Sequence, residues 1–158
     1  DALIQDEIEL FDIAALLSEY VCNMQSRHTD AQLRYQGATQ GVTVKGSDIR
    51  IVQLLDKIKD NALDFASPGT EIIFQLDTDQ QQAVIHIKNE GETIPQPQLE
   101  MLFQGMSSHR PVNTAVPHLG IGLYVAHRIA EYHQGKLQIE NRKDKQGVEV
   151  ILILPIAR

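Results

Sequence analysis

Three short constellations in this chain could do chemistry, and the first is an asparagine inside an apolar-striped helix. Asp60-Asn61-Ala62 interrupts a segment whose apolar positions are Ile51, Leu54, Leu55, Ile58, Ala62 and Phe65. Asn and Asp are poor interior helix residues, because their side chains compete for backbone hydrogen bonds. Lys57, Asn61, Asp64 and Phe65 follow helical spacing and share one face. An amide oxygen is a hard, neutral ligand of the kind Mg²⁺ accepts beside phosphate oxygens. Taken alone, the same residues also describe a polar stripe on a surface helix.

The second constellation is Asn89-Glu90-Gly91-Glu92-Thr93-Ile94-Pro95 at a strand end. Asn89 offers both an acceptor and a donor, which suits a nucleobase edge. Gly91 allows close backbone approach. A tight turn after a strand is the other reading. The third is His118-Leu119-Gly120-Ile121-Gly122-Leu123, running directly into a helix. Unpaired N–H groups and the helix dipole make such a start a ready anion site. A lone Gly-x-Gly is also a common way to begin a helix.

These residues need elements to hold them. A stripe of Ile13, Leu16, Leu17, Tyr20, Val21 and Met24 predicts a first helix capped by Asp12. Short strands are expected over 32–36 and 41–45. A second helix, capped by Ser47 or Asp48, runs to Ser67-Pro68-Gly69. Residues 71–76 and 83–88 predict a hairpin. A short helix over 97–103 is followed by a patternless stretch, 104–119, long enough to be a functional lid. A third main helix over 120–133 and strands over 136–141 and 148–154 complete the chain. The expected fold is a two-layer α/β sandwich, with helices on one face of a mixed, mostly antiparallel sheet.

The 158 residues make one ordinary domain, with 42% apolar and 22% charged residues. A net charge of −7 gives no general attraction for DNA or anionic lipid, so any bound anion needs a local site. Cys22 is the only cysteine, which excludes an intrachain disulfide and fits a reducing compartment. No stretch has the roughly 18 apolar residues of a membrane span. The chain starts at Asp1 without a leader and is expected to be a piece of a longer protein. Residues 1–10 are read as the remnant of an upstream linker and 11–158 as the domain.

The joint order is more specific than its parts: Asn-bearing helix, strand pair, Asn-x-Gly loop, lid, Gly-x-Gly at a helix start. It resembles the ATP-binding domain shared by sensor histidine kinases, gyrase, the mismatch-repair ATPases and the heat-shock chaperone ATPase. Asp60-Asn61-Ala62 is similar to the family's N box, Asn89-x-Gly91 and Gly120-x-Gly122-Leu123 to its glycine boxes, and Leu102-Phe103 to its F box. The C-terminal half, from Gly120 through Glu131 to Asn141, is closest to sensor histidine kinases. The resemblance implies a Bergerat-type fold that binds ATP and Mg²⁺. Asn61 would coordinate the metal and Asn89 would meet the adenine amine. Phe65, Gly91 and Ile94 would line the base pocket. His118, Leu119, Gly120, Ile121, Gly122 and Leu123 would border the phosphates under a mobile lid.

The resemblance also exposes departures. The family usually has Asp where this chain has Asn89. An uncharged acceptor loses ~1 kcal/mol, about five- to tenfold in affinity, so submillimolar to high-micromolar ATP binding is expected. Hydrolysing and serine-phosphorylating relatives carry Glu four residues before the Asn; here it is Lys57. A histidine nucleophile needs no such base, since neutral imidazole already carries a lone pair. Lys57 is expected to contact phosphate, with Asp64 holding it or reaching Mg²⁺ through water. His109 and Arg110 in the lid are candidates for the terminal phosphate, Arg110 as a catalytic residue beside Asn61 and Lys57. None of the six histidines precedes an acceptor-helix pattern. The implied function is γ-phosphoryl transfer to a His on upstream dimerisation helices, then onward to a response regulator. The implied setting is the cytoplasmic portion of an inner-membrane, homodimeric sensor, with no nucleic acid bound. A degenerate module that scaffolds signalling without transfer is the alternative.

Overall fold

A computed structural model describes residues 8–108 and 117–157; for 106–108 and 117–119 only the backbone is described. His109 and Arg110 lie outside the described residues. So do the side chains of His118 and Leu119 and most of the expected linker.

The described elements are β1 (Glu9–Asp12), α1 (Ile13–Arg27), β2 (Gln32–Gln36), β3 (Thr43–Gly46) and α2 (Asp48–Phe65). They continue with β4 (Glu71–Thr78), β5 (Gln82–Glu90), α3 (Gln96–Ser108), α4 (Pro117–Tyr132), β6 (Lys136–Asn141) and β7 (Gly147–Pro155). Five strands form one sheet in the order β2-β4-β5-β7-β6. Only β2 and β4 are parallel; the other pairs are antiparallel. Strands β1 and β3 form a separate two-stranded sheet. The expected sandwich is therefore present, with its helices on one face.

Period-two alternation builds the inner layer. Ile72, Phe74 and Leu76 on β4, Ala83, Ile85 and Ile87 on β5, and Val148, Val150, Leu152 and Leu154 on β7 are all buried. Against them lie the stripes of α1 and α2, with Leu17, Ile51, Leu54 and Leu55 fully buried. Asp12 caps α1 by accepting from the N–H groups of Ala14 and Ala15 (3.0 and 3.2 Å). The same carboxylate accepts from Gly41 and Val42 (2.7 and 3.3 Å), so the cap also ties down the approach to β3. Partial burial raises its pKa, but these four donors outweigh that and hold it below the ordinary value.

Three boundaries differ from expectation. Glu9 and Leu10, read as linker, pair with Gly46 and Lys45 in β1. Helix α3 runs on to Ser108, and α4 begins at Pro117. Much of the expected lid is therefore helical, and only 109–116 lie outside the described residues. The start of α4 has a simple cause. Proline at the first helical position lacks only an N–H that would be unpaired anyway. Gly120 and Gly122 then fall within the helix, not at its mouth.

Candidate functional site

Helix α2 is set by its first residues. The Ser47 hydroxyl accepts from the Arg50 N–H at 3.3 Å. The Ser47 N–H in turn donates to His133 Nε2 at 2.9 Å, while His133 Nδ1–H donates to the Ile129 carbonyl at 2.8 Å. The ring is thereby fixed as the Nδ1–H tautomer, and the end of α4 is latched to the start of α2. His133 is 2% exposed. An imidazole is buried so deeply only when both nitrogens are engaged.

Nearly four turns further along α2, Asn61 is buried between Ile58 and Ala62. On the facing layer, alternation places Asn89 on the same side of β5 as Ile85 and Ile87, and it is 5% exposed. The two amides meet in an interlayer cavity of about 20 Å³. Its other walls are Ile58, Ala62 and Phe65 of α2, Ile87, Ile94, Ile139, Val148 and Val150. Neither the Asn61 Nδ2 nor the Asn89 Nδ2 has a hydrogen-bond partner among the described residues. Asn61 also lines a second cavity of about 410 Å³, together with Lys57, Asp60, Leu63, Asp64, Ile121 and Gly122. One amide thus borders an apolar slot on one side and a charged chamber on the other. Asp60 itself is exposed and pairs with Lys59 at 3.0 Å.

Glycines set how closely these walls approach. A Cβ on Gly122 would lie 3.4 Å from Asn61 Nδ2 and 4.0 Å from Lys57 Cβ. A Cβ on Gly91 would fall 2.3 Å from the Phe65 carbonyl oxygen. Gly91 therefore lets the end of β5 lie directly against the end of α2, where Ala66 and Gly91 form an isolated bridge. Gly120 is the fourth residue of α4. Gly122 and Leu123 sit in the second turn, and Leu123 is in the core. The expectation that these two offer free N–H groups does not fit the helical backbone at their positions. Ile121 is half exposed.

Two positioning residues escaped the sequence reading. Asn141, at the end of β6, clamps the loop after β5. Its Oδ1 accepts from the Ile94 N–H at 2.8 Å, and its Nδ2 donates to the Ile94 carbonyl at 2.9 Å. Arg142 is buried and donates to the Asn89 carbonyl at 3.4 Å, while its Nε and Nη2 hold both oxygens of Asp144 at 3.0 and 2.8 Å. The hydrogen bonds from Arg142 bring the exposed Asp144 carboxyl down to about 2. In the sequence, Asn141-Arg142-Lys143-Asp144 carries only a turn signal.

Residues 46–158 match the family described as "Histidine kinase-, DNA gyrase B-, and HSP90-like ATPase". The sensor protein ChvG of Agrobacterium fabrum is 30% identical over 73% of this chain and 20% of its own length. Sporulation kinase C of Bacillus subtilis is 26% identical over 93% of this chain and 31% of its own. The chain thus spans a fifth to a third of these relatives. Among solved structures, the catalytic domain of histidine kinase ThkA aligns with a TM-score of 0.79 at 21% identity, covering 95% of this chain and 96% of that one. ThkA is also seen in complex with the response regulator protein TrrA. With an Asn-bearing helix facing a strand-end Asn and a glycine-bearing helix lying against the first of these, the chain belongs to the histidine kinase-, DNA gyrase B- and HSP90-like ATPase family, in the form that sensor histidine kinases carry as their catalytic domain.

Proposed function

We propose that this chain binds ATP with Mg²⁺ and supplies the γ-phosphoryl group in a two-component sensor histidine kinase. The acceptor is a histidine on dimerisation helices outside this chain, and a response regulator receives the group afterwards. The observation that carries the reading is the position of Asn61, whose buried, unpartnered amide joins the apolar slot to the charged chamber.

The slot suits a purine. Its walls are aliphatic or aromatic, and the two amides are its polar side chains. A purine ring is far larger than 20 Å³, so base binding requires the Phe65 and Ile94 walls to part. The chamber suits phosphates: Lys57 supplies positive charge, and Asn61 and Asp64 supply oxygen ligands of the kind Mg²⁺ takes. Bound there, the metal would neutralise phosphate charge. The rest of the chemistry is positioning and electrostatics, as phosphoryl transfer demands. The acceptor imidazole attacks the γ-phosphorus with its free lone pair, the bond to the β–γ bridging oxygen breaks, and ADP leaves. Lys57 stands near the leaving phosphates and cannot act as a carboxylate base, which argues against serine phosphorylation. In the whole protein the domain faces the cytoplasm below an inner-membrane sensor. Among the described residues no helix is long and apolar enough to cross a membrane.

Calorimetric titration with ATP, with and without Mg²⁺, tests the reading. Saturable binding that Mg²⁺ strengthens is expected, and it should be lost in Asn61→Ala. That variant should melt no lower than the parent, because Asn61 Nδ2 bonds nothing and Ala is the better helix residue by about half a kcal/mol. Absence of binding up to several millimolar ATP would refute the reading in favour of a scaffold.

A further inference from the structure

The slot between the layers raises a question of base selectivity. A carboxylate at position 89 could only accept a hydrogen bond, whereas an amide carries one acceptor and one donor group. What decides whether both can be used is whether the protein holds the amide one way round. Among the described residues it does not: Asn89 Nδ2 is buried and bonds none of them. The hydrogen bond recorded near this residue, from Arg142, goes to the Asn89 backbone carbonyl. A half-turn about the side chain's last torsion therefore exchanges Oδ1 and Nδ2 without breaking a protein hydrogen bond. The remaining lining adds no charge to oppose either orientation.

Adenine presents an amine at its 6-position. Hypoxanthine and guanine present a carbonyl at the same place. The acceptor face of Asn89 meets the first and its donor face meets the second. We propose that the slot accepts 6-oxopurine nucleotides as well as adenine nucleotides, with Asn89 as the residue that relaxes the choice. This rests on the reading of the slot as the base pocket. A site locked as an acceptor rejects a mismatched partner by a factor on the order of 10⁴, because a buried polar group is left unpaired. A reversible amide removes that penalty for a 6-oxo group.

The test is parallel titration of this chain with MgATP and MgITP, in the parent, Asn89→Asp and Asn89→Ala. Inosine carries the 6-oxo group, with a proton on N1, but lacks guanine's extra amine, so it presents the 6-oxo edge without a 2-amino contact. In the parent, the affinities should agree within about tenfold. Asn89→Asp should widen the ratio in favour of ATP by at least about tenfold, because its carboxylate repels the 6-oxo oxygen. Should burial of that carboxylate prevent folding, Asn89→Ala decides: it should weaken both nucleotides alike. ATP binding in the parent with ITP more than about tenfold weaker would overturn the inference and leave the ATP site standing. A loss confined to ATP in Asn89→Ala would overturn it too. If neither nucleotide binds the parent, the base-pocket reading itself fails and takes the inference with it.

Discussion

Replacing Gly91 by alanine probes the joint on which the site depends. The added Cβ would sit 2.3 Å from the Phe65 carbonyl oxygen. A carbon and an oxygen need about 3.3 Å, so the chains must part by about 1 Å. The obstructing atom is backbone, and no rotamer change relieves it. The gap would open where the Ser67 N–H donates to the Glu90 carbonyl at 2.8 Å and the Gly91 N–H to the Gln146 carbonyl at 3.3 Å. Losing both bonds costs about 1–3 kcal/mol. Alanine recovers nothing by restricting the unfolded chain, because Gly91 has φ +159°, a backbone conformation that L side chains rarely adopt. The loss is about 1–3 kcal/mol, which lowers the melting temperature of a domain this size by about 2–12 °C. Phe65 also walls the slot, so ATP affinity should fall in the same variant. Thermal melting followed by ATP titration reads both effects. A variant that melts at or above the parent temperature would show that the contact between the ends of α2 and β5 is not tight, and would refute the reasoning.

Gly122→Ala should behave in the opposite way. Its Cβ makes ordinary contact with Asn61 and Lys57, and alanine in a helix interior is favoured by about 1 kcal/mol. Melting should rise by about 2–4 °C, while ATP binding weakens at least about tenfold because the methyl stands against the Asn61 amide; parent-like affinity would discard Asn61 as the metal-side ligand. Asp144, held near 2 by Arg142, should titrate near that value by carboxyl NMR and return toward 3.8 in Arg142→Met. Its folded pKa is depressed, so its stabilising contribution is present above 3.8 and lost as the pH falls toward 2. Solvent screening keeps that contribution within about 1 kcal/mol. Tyr20 is raised far above 10 by burial and by its 2.6 Å hydrogen bond to Asp56. Its stabilisation is complete below pH 10 and lost above it, so absorbance titration should show Tyr20 ionising only as the domain unfolds.

The parts legible in the sequence are those with a period. Helix α2 is bounded by Ser47 and Ala66, close to the capping and stop residues, and its stripe is the buried one. The hairpin of β4 and β5 and the final pair were also readable, because alternation marks strands whatever they pair with. What could not be read was pairing between distant segments. The parallel partnership of β2 with β4 joins Leu33 to Ile72 across a helix and a further strand, and neither segment encodes it locally. Asn141 and Arg142 were hidden for a related reason. Their partners, Ile94 and Asn89, are 47 and 53 residues away, so locally they look like the polar start of a turn. The glycines of α4 misled in another way. Glycine is costly inside a helix, so Gly120 and Gly122 read as a helix mouth, until Pro117 set the start three residues earlier.

Asn61 and Asn89 make the strongest case that the interlayer slot is there to be used. They come from different layers and from elements with different periodicities, yet both bury an amide nitrogen that bonds none of the described residues. A buried unsatisfied polar group costs about 1–3 kcal/mol, and an aliphatic residue at either position would suit its surroundings of Ile58, Ile87 and Val150 better. Packing alone therefore gives no reason for either amide. A ligand that bonds them does, because saturation at a hundred times its Kd returns about 2.7 kcal/mol to the folded state. The two costs and the one gain are of the same size. The domain should accordingly be less stable than its core warrants when empty, and recover on binding. If an Asn61→Leu, Asn89→Leu double variant melts well above the parent and no longer responds to MgATP, the amides are there for the nucleotide. If it melts lower, the amides serve the fold.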